Sequence, residues 1–186
     1  MKDIYSNIQS SVLKGKKLLA VLIDPDKTKP ERLTKIIDNI NQSIATHIFV
    51  GGSIVEKNVT DVLVAEIKKL TKLPVVLFPG DIIQISNKAD GILFLSLISG
   101  RNPDYLIGKH VESISTLKIT NLEVISTGYI LFLEDDWYIP DYSVNPEWLR
   151  ESIAILDAYE GIDHLILRKF LNRHLLDVLD LHHRST

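Results

Sequence analysis

Short apolar runs recur along the chain and are separated by longer amphipathic segments, and this rhythm constrains the fold more than any other feature of the sequence. The runs contain many β-branched residues, and most do not alternate with polar ones. Such continuous apolar runs are typical of strands buried on both faces of a parallel sheet. The five runs are LLAVLI (18–23), HIFV (47–50), PVVLF (74–78), GILFLSLI (91–98) and LEVISTGYILF (122–132).

The segments between the runs have helical periodicity. The pattern predicts helices over 30–43, where Pro30 suits a first helical turn, and over 60–71. A third helix is predicted over 103–116, with Asn102 as its cap. The third and fourth runs lie close together, so the helix between them must be short. This alternation predicts an α/β fold of parallel βα repeats, a partial or modified TIM barrel with five or six strands.

The last third of the sequence has a different character. Residues 133–145 are acidic and aromatic and predict a long irregular loop, followed by a helix over 146–159. The run at 162–170 predicts a sixth strand or an extension of the helix after it. We therefore predict one compact domain, in which 1–132 form the front part of a βα barrel and a divergent segment, 133–186, packs on it.

Composition excludes several classes of protein. The chain has 186 residues, 45% of them hydrophobic and 24% charged, which is ordinary for a soluble domain. Its formal net charge is −3 with scattered lysine and arginine, so no nucleic-acid surface is expected. It has no cysteine and no membrane-spanning apolar run. These features predict a cytoplasmic protein with at most peripheral membrane contact.

Ligands of parallel α/β folds bind beyond the carboxyl ends of the strands, which singles out the residues that follow each run. Asp24 comes directly after the first run, within DPDK. A carboxylate at this place suits Mg²⁺, which takes one or two protein oxygens and leaves other positions to phosphate. The alternative is that Asp24 only shapes the turn. Asp26 and Lys27 are expected to be solvated turn residues.

Further candidates follow the later runs. Gly51 and Gly52 would let the backbone approach a substrate closely, and Ser53 offers a hydroxyl to a metal or a phosphate. Arg101, in the loop after the fourth run, is a candidate phosphate ligand or a surface residue. Tyr129, near the end of the fifth run, is a substrate contact or a core hydroxyl.

Several of these segments together closely resemble the geranylgeranylglyceryl phosphate synthase family, including its heptaprenylglyceryl phosphate synthase branch. The long block after the third run is the most specific, and the others occur in the right order. The matching segments are VLIDPDK (21–27), FVGGS (49–53), LFPG (77–80), ADGILFLSLISGRNPDYLIGKHVE (89–112) and EVISTGYIL (123–131).

The resemblance implies a Mg²⁺-dependent TIM-barrel prenyltransferase of ether lipid synthesis. Its substrates would be a polyprenyl diphosphate and glycerol 1-phosphate, whose sn-3 hydroxyl receives the prenyl group. By the same resemblance, Asp24 and Ser53 would bind the metal. Tyr129 would lie in the substrate region, where we expect it to take part in catalysis.

The resemblance extends over about residues 1–132. Beyond them the sequence has none of the glycine-rich loops with which the family binds glycerol phosphate, and Gly161 is the only glycine there. This departure makes activity of the chain doubtful. It leaves an alternative, a non-catalytic chimeric or designed α/β scaffold derived from the family. An open sheet edge would also favour a homodimer.

Overall fold

The computed structural model of the protein describes residues 3–52, 59–98 and 100–129. The loop predicted over 133–145, the helix over 146–159 and the strand over 162–170 lie outside these residues. The strands are β1 (Ala20–Ile23), β2 (His47–Val50), β3 (Val75–Leu77), β4 (Gly91–Leu97) and β5 (Glu123–Tyr129). The α-helices are α1 (Ile4–Leu13), α2 (Pro30–Asn41), α3 (Val59–Leu70) and α4 (Lys109–Leu117).

The strands form one parallel sheet in the order β1-β2-β3-β4-β5. Each strand therefore lies beside the next one in sequence, the arrangement of consecutive strands in a βα barrel. This confirms the predicted fold class of parallel βα repeats. None of the helices that the structure describes has the length and apolar character needed to cross a bilayer.

The two faces of the sheet pack against different layers. Residues such as Ile48 and Leu77 face a core shared with α2 and α3, in which Ile37 and Ile67 are completely buried. Alternate residues point to the other face, because successive side chains of a strand lie on opposite sides. On this other face, which we call the inner face, a second and smaller apolar cluster forms. It consists of Ile4, Phe49, Val76, Leu93 and Ile125.

Helix α1, which the sequence pattern did not predict, packs against the inner face through Ile4. Its first two backbone N–H groups, those of Ile4 and Tyr5, donate to the carboxylate of Glu123 at 2.6 and 2.8 Å. Glu123 is the first residue of β5, so α1 begins at the amino end of the sheet. The carboxylate satisfies helix N–H groups that would otherwise lack partners.

The predicted helix over 103–116 begins differently from a regular α-helix. Asn102 caps it as expected, because its Oδ1 accepts a hydrogen bond from the Asp104 N–H at 3.0 Å. The first residues, Asp104–Gly108, form a π-helix before α4 continues to Leu117. The short helix predicted between the third and fourth runs is confirmed as a 3₁₀ turn, Ile82–Gln84.

His47 makes the stability of the fold depend on pH. It is buried at the start of β2, its Nδ1 lies 2.8 Å from Thr46 Oγ1, and burial lowers its pKa below the usual 6.5. The unfolded chain then binds a proton that the folded chain does not, so the free energy of unfolding should fall as the pH drops below about 6.5. Urea denaturation between about pH 7.5 and 5.5 would measure this slope. His47→Asn should reduce it, and an unchanged slope in that variant would contradict the assignment.

Candidate active site at the carboxyl end of the sheet

Four residues lie at the carboxyl ends of their strands, and we call them the rim. These are Asp24 after β1, Gly51 after β2, Phe78 after β3 and Tyr129 at the end of β5. The N–H of Gly51 donates to the carbonyl of the residue before Asp24 at 3.2 Å. The N–H of Phe78 donates in turn to the carbonyl of the residue before Gly51 at 2.8 Å. The parallel pairing therefore continues into the rim.

Asp24 uses its two carboxylate oxygens differently. Oδ1 accepts a hydrogen bond from the Asp26 N–H at 3.1 Å, which shapes the turn. Oδ2 lies 3.2 Å from Lys27 Nζ, whose side chain is 62% exposed, whereas that of Asp24 is only 19% exposed. The turn role and the ligand role are thus compatible, since one oxygen closes the turn and the other contacts an exposed lysine. Asp26 and Lys27 are both exposed, as predicted.

Gly51 lies where no larger residue fits. A Cβ built on it would lie 1.8 Å from the carbonyl oxygen of Phe78, so the close approach of the β2 and β3 ends requires glycine. The N–H groups of Gly51 and Gly52 both have protein partners, the carbonyl of Ile23 and Oε1 of Gln84. Substrate binding by these glycines stays a prediction, as does metal binding by Ser53, which lies outside the described residues.

Gln84 is a feature of the site that the sequence reasoning missed. It is 1% exposed, and its Nε2 donates to the Gly52 carbonyl at 2.8 Å. Its Oε1 accepts from the N–H groups of Gly80 and Gly52 at 3.3 and 3.4 Å. The side chain therefore connects the loop after β2 to the loop after β3. A lone glutamine among the isoleucines of DIIQIS was the available signal, because a buried amide needs partners.

Tyr129 belongs to a row of aromatic rings on the inner face. Its ring meets that of Phe78 edge to face, with centroids 5.8 Å apart and an interplanar angle of 86°. Phe78 stacks in turn on Phe49 at 6.5 Å. Burial raises the pKa of the Tyr129 phenol above its usual 10.0, so at neutral pH the side chain is an uncharged hydrogen-bond donor.

The raised pKa of Tyr129 can be measured directly. Because burial raises its pKa, Tyr129 should ionise at a higher pH than a tyrosine in water. Because the folded state holds this proton more tightly, its contribution to stability is complete below about pH 10 and lost above it. Alkaline titration of tyrosinate absorbance should show a late component that Tyr129→Phe removes and Tyr105→Phe leaves in place. The opposite pattern would contradict the burial argument.

Arg101 and the other polar side chains of β5 have different surroundings. Arg101 is exposed in the loop after β4. Ser126 is exposed, and Thr127 Oγ1 donates to the Ile125 carbonyl at 2.9 Å within its own strand. Of the polar residues in β5, only Tyr129 therefore reaches the carboxyl end.

A metal at this site would depend on Asp24. In the part of the chain that the structure describes, no group of three or more histidines, aspartates or glutamates could hold a metal ion. Magnesium commonly takes only one or two carboxylates and completes its coordination with substrate phosphates and water. A single carboxylate with one oxygen paired to an exposed lysine fits this mode of binding.

Comparison with known proteins gives a consistent result. The model of the PcrB family matches residues 11–139. The chain is 61% identical over 131 residues to the geranylgeranylglyceryl phosphate synthase of Flavobacterium johnsoniae, covering 70% of this chain and 54% of that protein. The corresponding enzyme of Methanosphaera stadtmanae is 32% identical over 181 residues, covering 89% of this chain and 74% of that protein. The second match takes the similarity past residue 132.

A solved structure has a similar fold over 71% of this chain. This is the (S)-3-O-geranylgeranylglyceryl phosphate synthase of Thermoplasma acidophilum, in complex with its substrate sn-glycerol-1-phosphate. The TM-score is 0.67 at 30% identity, over 71% of this chain and 53% of that one. The chain thus spans about half the length of this protein and of the Flavobacterium relative.

Proposed function

The chain belongs to the PcrB family, and from that premise we propose that it transfers a prenyl group from a polyprenyl diphosphate to glycerol 1-phosphate. This reaction would serve ether lipid synthesis. The observation that carries the proposal is the Asp24 carboxylate at the rim, with Oδ2 paired to the exposed Lys27. Its support from relatives is the 61% identity to a geranylgeranylglyceryl phosphate synthase.

Asp24 would hold Mg²⁺ and, through it, the diphosphate of the prenyl donor. An ion pair with an exposed lysine, such as Asp24–Lys27, contributes at most about 1 kcal/mol to stability. Replacing the Lys27 ammonium at Oδ2 by a metal cation would therefore cost little. The released Lys27 ammonium then lies near the bound diphosphate and adds a second positive charge. When bound, Mg²⁺ would neutralise the charge that develops on the leaving group.

The reaction exchanges one carbon–oxygen bond for another. The bond between C1 of the prenyl group and the diphosphate oxygen breaks, and the electron pair leaves with the diphosphate. The sn-3 hydroxyl oxygen of glycerol 1-phosphate forms the new bond to C1, and its proton passes to the released diphosphate or to solvent.

The aromatic rings of the rim suit this chemistry. The faces of Phe78 and Tyr129 stabilise positive charge on the allylic carbon by cation–π attraction. Their apolar surface also keeps water away from that carbon. The neutral Tyr129 phenol donates a hydrogen bond to a substrate oxygen without adding charge.

Prenyl transfer by the whole chain tests the proposal. Labelled glycerol 1-phosphate is incubated with Mg²⁺ and polyprenyl diphosphates of several lengths, and the lipid-soluble product is counted. We expect product formation that a chelator abolishes and added Mg²⁺ restores, with little product from the enantiomer glycerol 3-phosphate.

The alternative function gives the opposite result. A non-catalytic scaffold forms no product under conditions in which a full-length relative is active, and calorimetry detects no glycerol 1-phosphate binding. A homodimer and a cytoplasmic location stay predictions, the first of which sedimentation of the whole chain tests.

A further inference from the structure

We propose that Gln84 is a positioning residue of this site, which orients the Gly52 peptide beside Asp24 so that the rim can receive a diphosphate. The inference rests on the proposed function, because it assigns the oriented loop to the prenyl donor. Gln84 lies in the 3₁₀ turn after β3 and not in the rim itself.

Within the described residues, the side-chain hydrogen bonds of Gln84 go to glycine backbone. Its amide pairs with both polar groups of Gly52, donating at 2.8 Å and accepting at 3.4 Å, and it also accepts from the Gly80 N–H at 3.3 Å. Glycine has the greatest backbone freedom of any residue, and it has no side chain with which to anchor its own peptide. The loop with Gly51 and Gly52 and the loop with Gly80 therefore gain an anchor from elsewhere in the chain, and Gln84 supplies it.

The position of this anchor connects it to Asp24. Gly51 is tied to the residue before Asp24 through its N–H, at 3.2 Å, and Gly52 follows directly. Holding Gly52 therefore fixes the orientation of the chain where it leaves β2. This strand lies beside β1, which Asp24 follows. A ligand held by Asp24 meets this loop, and an error of about 1 Å in such a position can cost about 100-fold in rate.

The amide gives this contact a direction as well as a volume. At 1% exposure the side chain has lost nearly all contact with water, so its polar atoms depend on protein partners. What the amide adds is orientation, because its donor and its acceptor bind the carbonyl and the N–H of one residue and so hold the peptide units on both sides of Gly52.

Two substitutions of Gln84 separate shape from hydrogen bonding. Gln84→Met keeps the approximate volume and removes all three bonds. Gln84→Glu keeps an acceptor for the two N–H groups and replaces the bond to the Gly52 carbonyl by repulsion between oxygens. Because glutamate is nearly isosteric with glutamine, Gln84→Glu tests the same contacts even if Gln84→Met folds poorly.

A matched control breaks a buried polar contact at the other end of the sheet. Asp90 accepts hydrogen bonds from Lys68 Nζ at 2.7 and 2.8 Å and from the Val75 N–H at 2.8 Å, all near the amino ends of β3 and β4. Asp90→Asn should therefore destabilise the fold without touching the rim. Urea denaturation gives the free energy of unfolding of each variant. The loss of binding in each variant is then compared with its loss of stability.

The binding experiment is calorimetry of the whole chain with inorganic pyrophosphate in excess Mg²⁺. We expect both Gln84 variants to bind about 10- to 100-fold more weakly than the wild type. Asp90→Asn should bind within about twofold of the wild type, whatever its loss of stability. Wild-type binding in the Gln84 variants, or equal weakening in all three, would overturn the positioning role.

A second measurement separates this inference from the proposed function. Amide hydrogen exchange reports the Gly52 and Gly80 N–H groups, which should exchange faster in Gln84→Met than in Asp90→Asn at matched stability. Faster exchange without pyrophosphate binding by the wild type overturns the diphosphate site and with it the proposed function. Pyrophosphate binding by the wild type with unchanged exchange in Gln84→Met overturns only the role of Gln84.

Discussion

Replacement of Asp24 by asparagine is expected to lower kcat/KM for prenyl transfer roughly 100- to 1,000-fold, because the site loses its negatively charged oxygen ligand. The substitution is nearly isosteric. An amide oxygen can still accept the hydrogen bond from the Asp26 N–H, so the turn after β1 should persist. The measurement is the rate of product formation at subsaturating prenyl diphosphate and fixed Mg²⁺.

The control for this prediction is Asp26→Asn. It removes the charge of an exposed side chain that lies two residues after Asp24 in the sequence. It should leave kcat/KM within about twofold of the wild type, because an exposed carboxylate in water interacts only weakly with the site. Asp24→Asn should also keep its stability within about 1 kcal/mol, the largest contribution expected of the exposed pair with Lys27. Normal turnover, or loss of turnover only through unfolding, would contradict the ligand role.

Replacement of Gly51 by alanine is expected to have the largest effect on the fold. The added Cβ would lie 1.8 Å from the carbonyl oxygen and 2.6 Å from the carbonyl carbon of Phe78, so backbone must move. Movement of Phe78 would break its N–H bond to Val50 and shift the aromatic contact to Tyr129. We expect the free energy of unfolding to fall by more than about 3 kcal/mol, a large part of the usual 5–15 kcal/mol of a domain.

Gly15→Ala is the control for this steric argument. Gly15 has φ +66°, and a Cβ there would meet nothing within 4 Å, so only the strain of the left-handed conformation is felt. That strain costs about 1 kcal/mol. Urea denaturation of the two variants gives the comparison directly. A loss in Gly51→Ala no greater than that in Gly15→Ala would mean that the ends of β2 and β3 can separate freely.

The two predictions concern different levels of the same rim. Gly51 sets how closely the strand ends approach, whereas Asp24 would supply the charge that the proposed metal requires. A fold that tolerated the alanine with normal turnover would show that the spacing of the rim matters little. Retained stability with lost turnover in Asp24→Asn would show that the charge matters by itself.

The parallel sheet was predictable from the sequence because its information is local. Runs such as HIFV at 47–50 are apolar throughout, and Pro30 and Asn102 mark helix starts within a few residues of them. The position of Asp24 followed from the same pattern, since any residue directly after a parallel strand lies at the carboxyl edge. The π-helix at 104–108 was not predicted, because hydrophobic period and capping do not distinguish it from an α-helix.

The contacts that complete the structure were decided by the tertiary fold. The Glu123 carboxylate caps α1 across 118 to 119 residues of chain, and no local pattern links the two. Gln84 hydrogen-bonds to Gly52 across 32 residues of chain. The rings of Tyr129 and Phe78 are in contact because both side chains point to the same face of the sheet. By itself the sequence determined which residues form strands and which follow them, because those properties depend on neighbours along the chain. Only the fold decided which polar groups meet, because that depends on how distant strand ends are brought together.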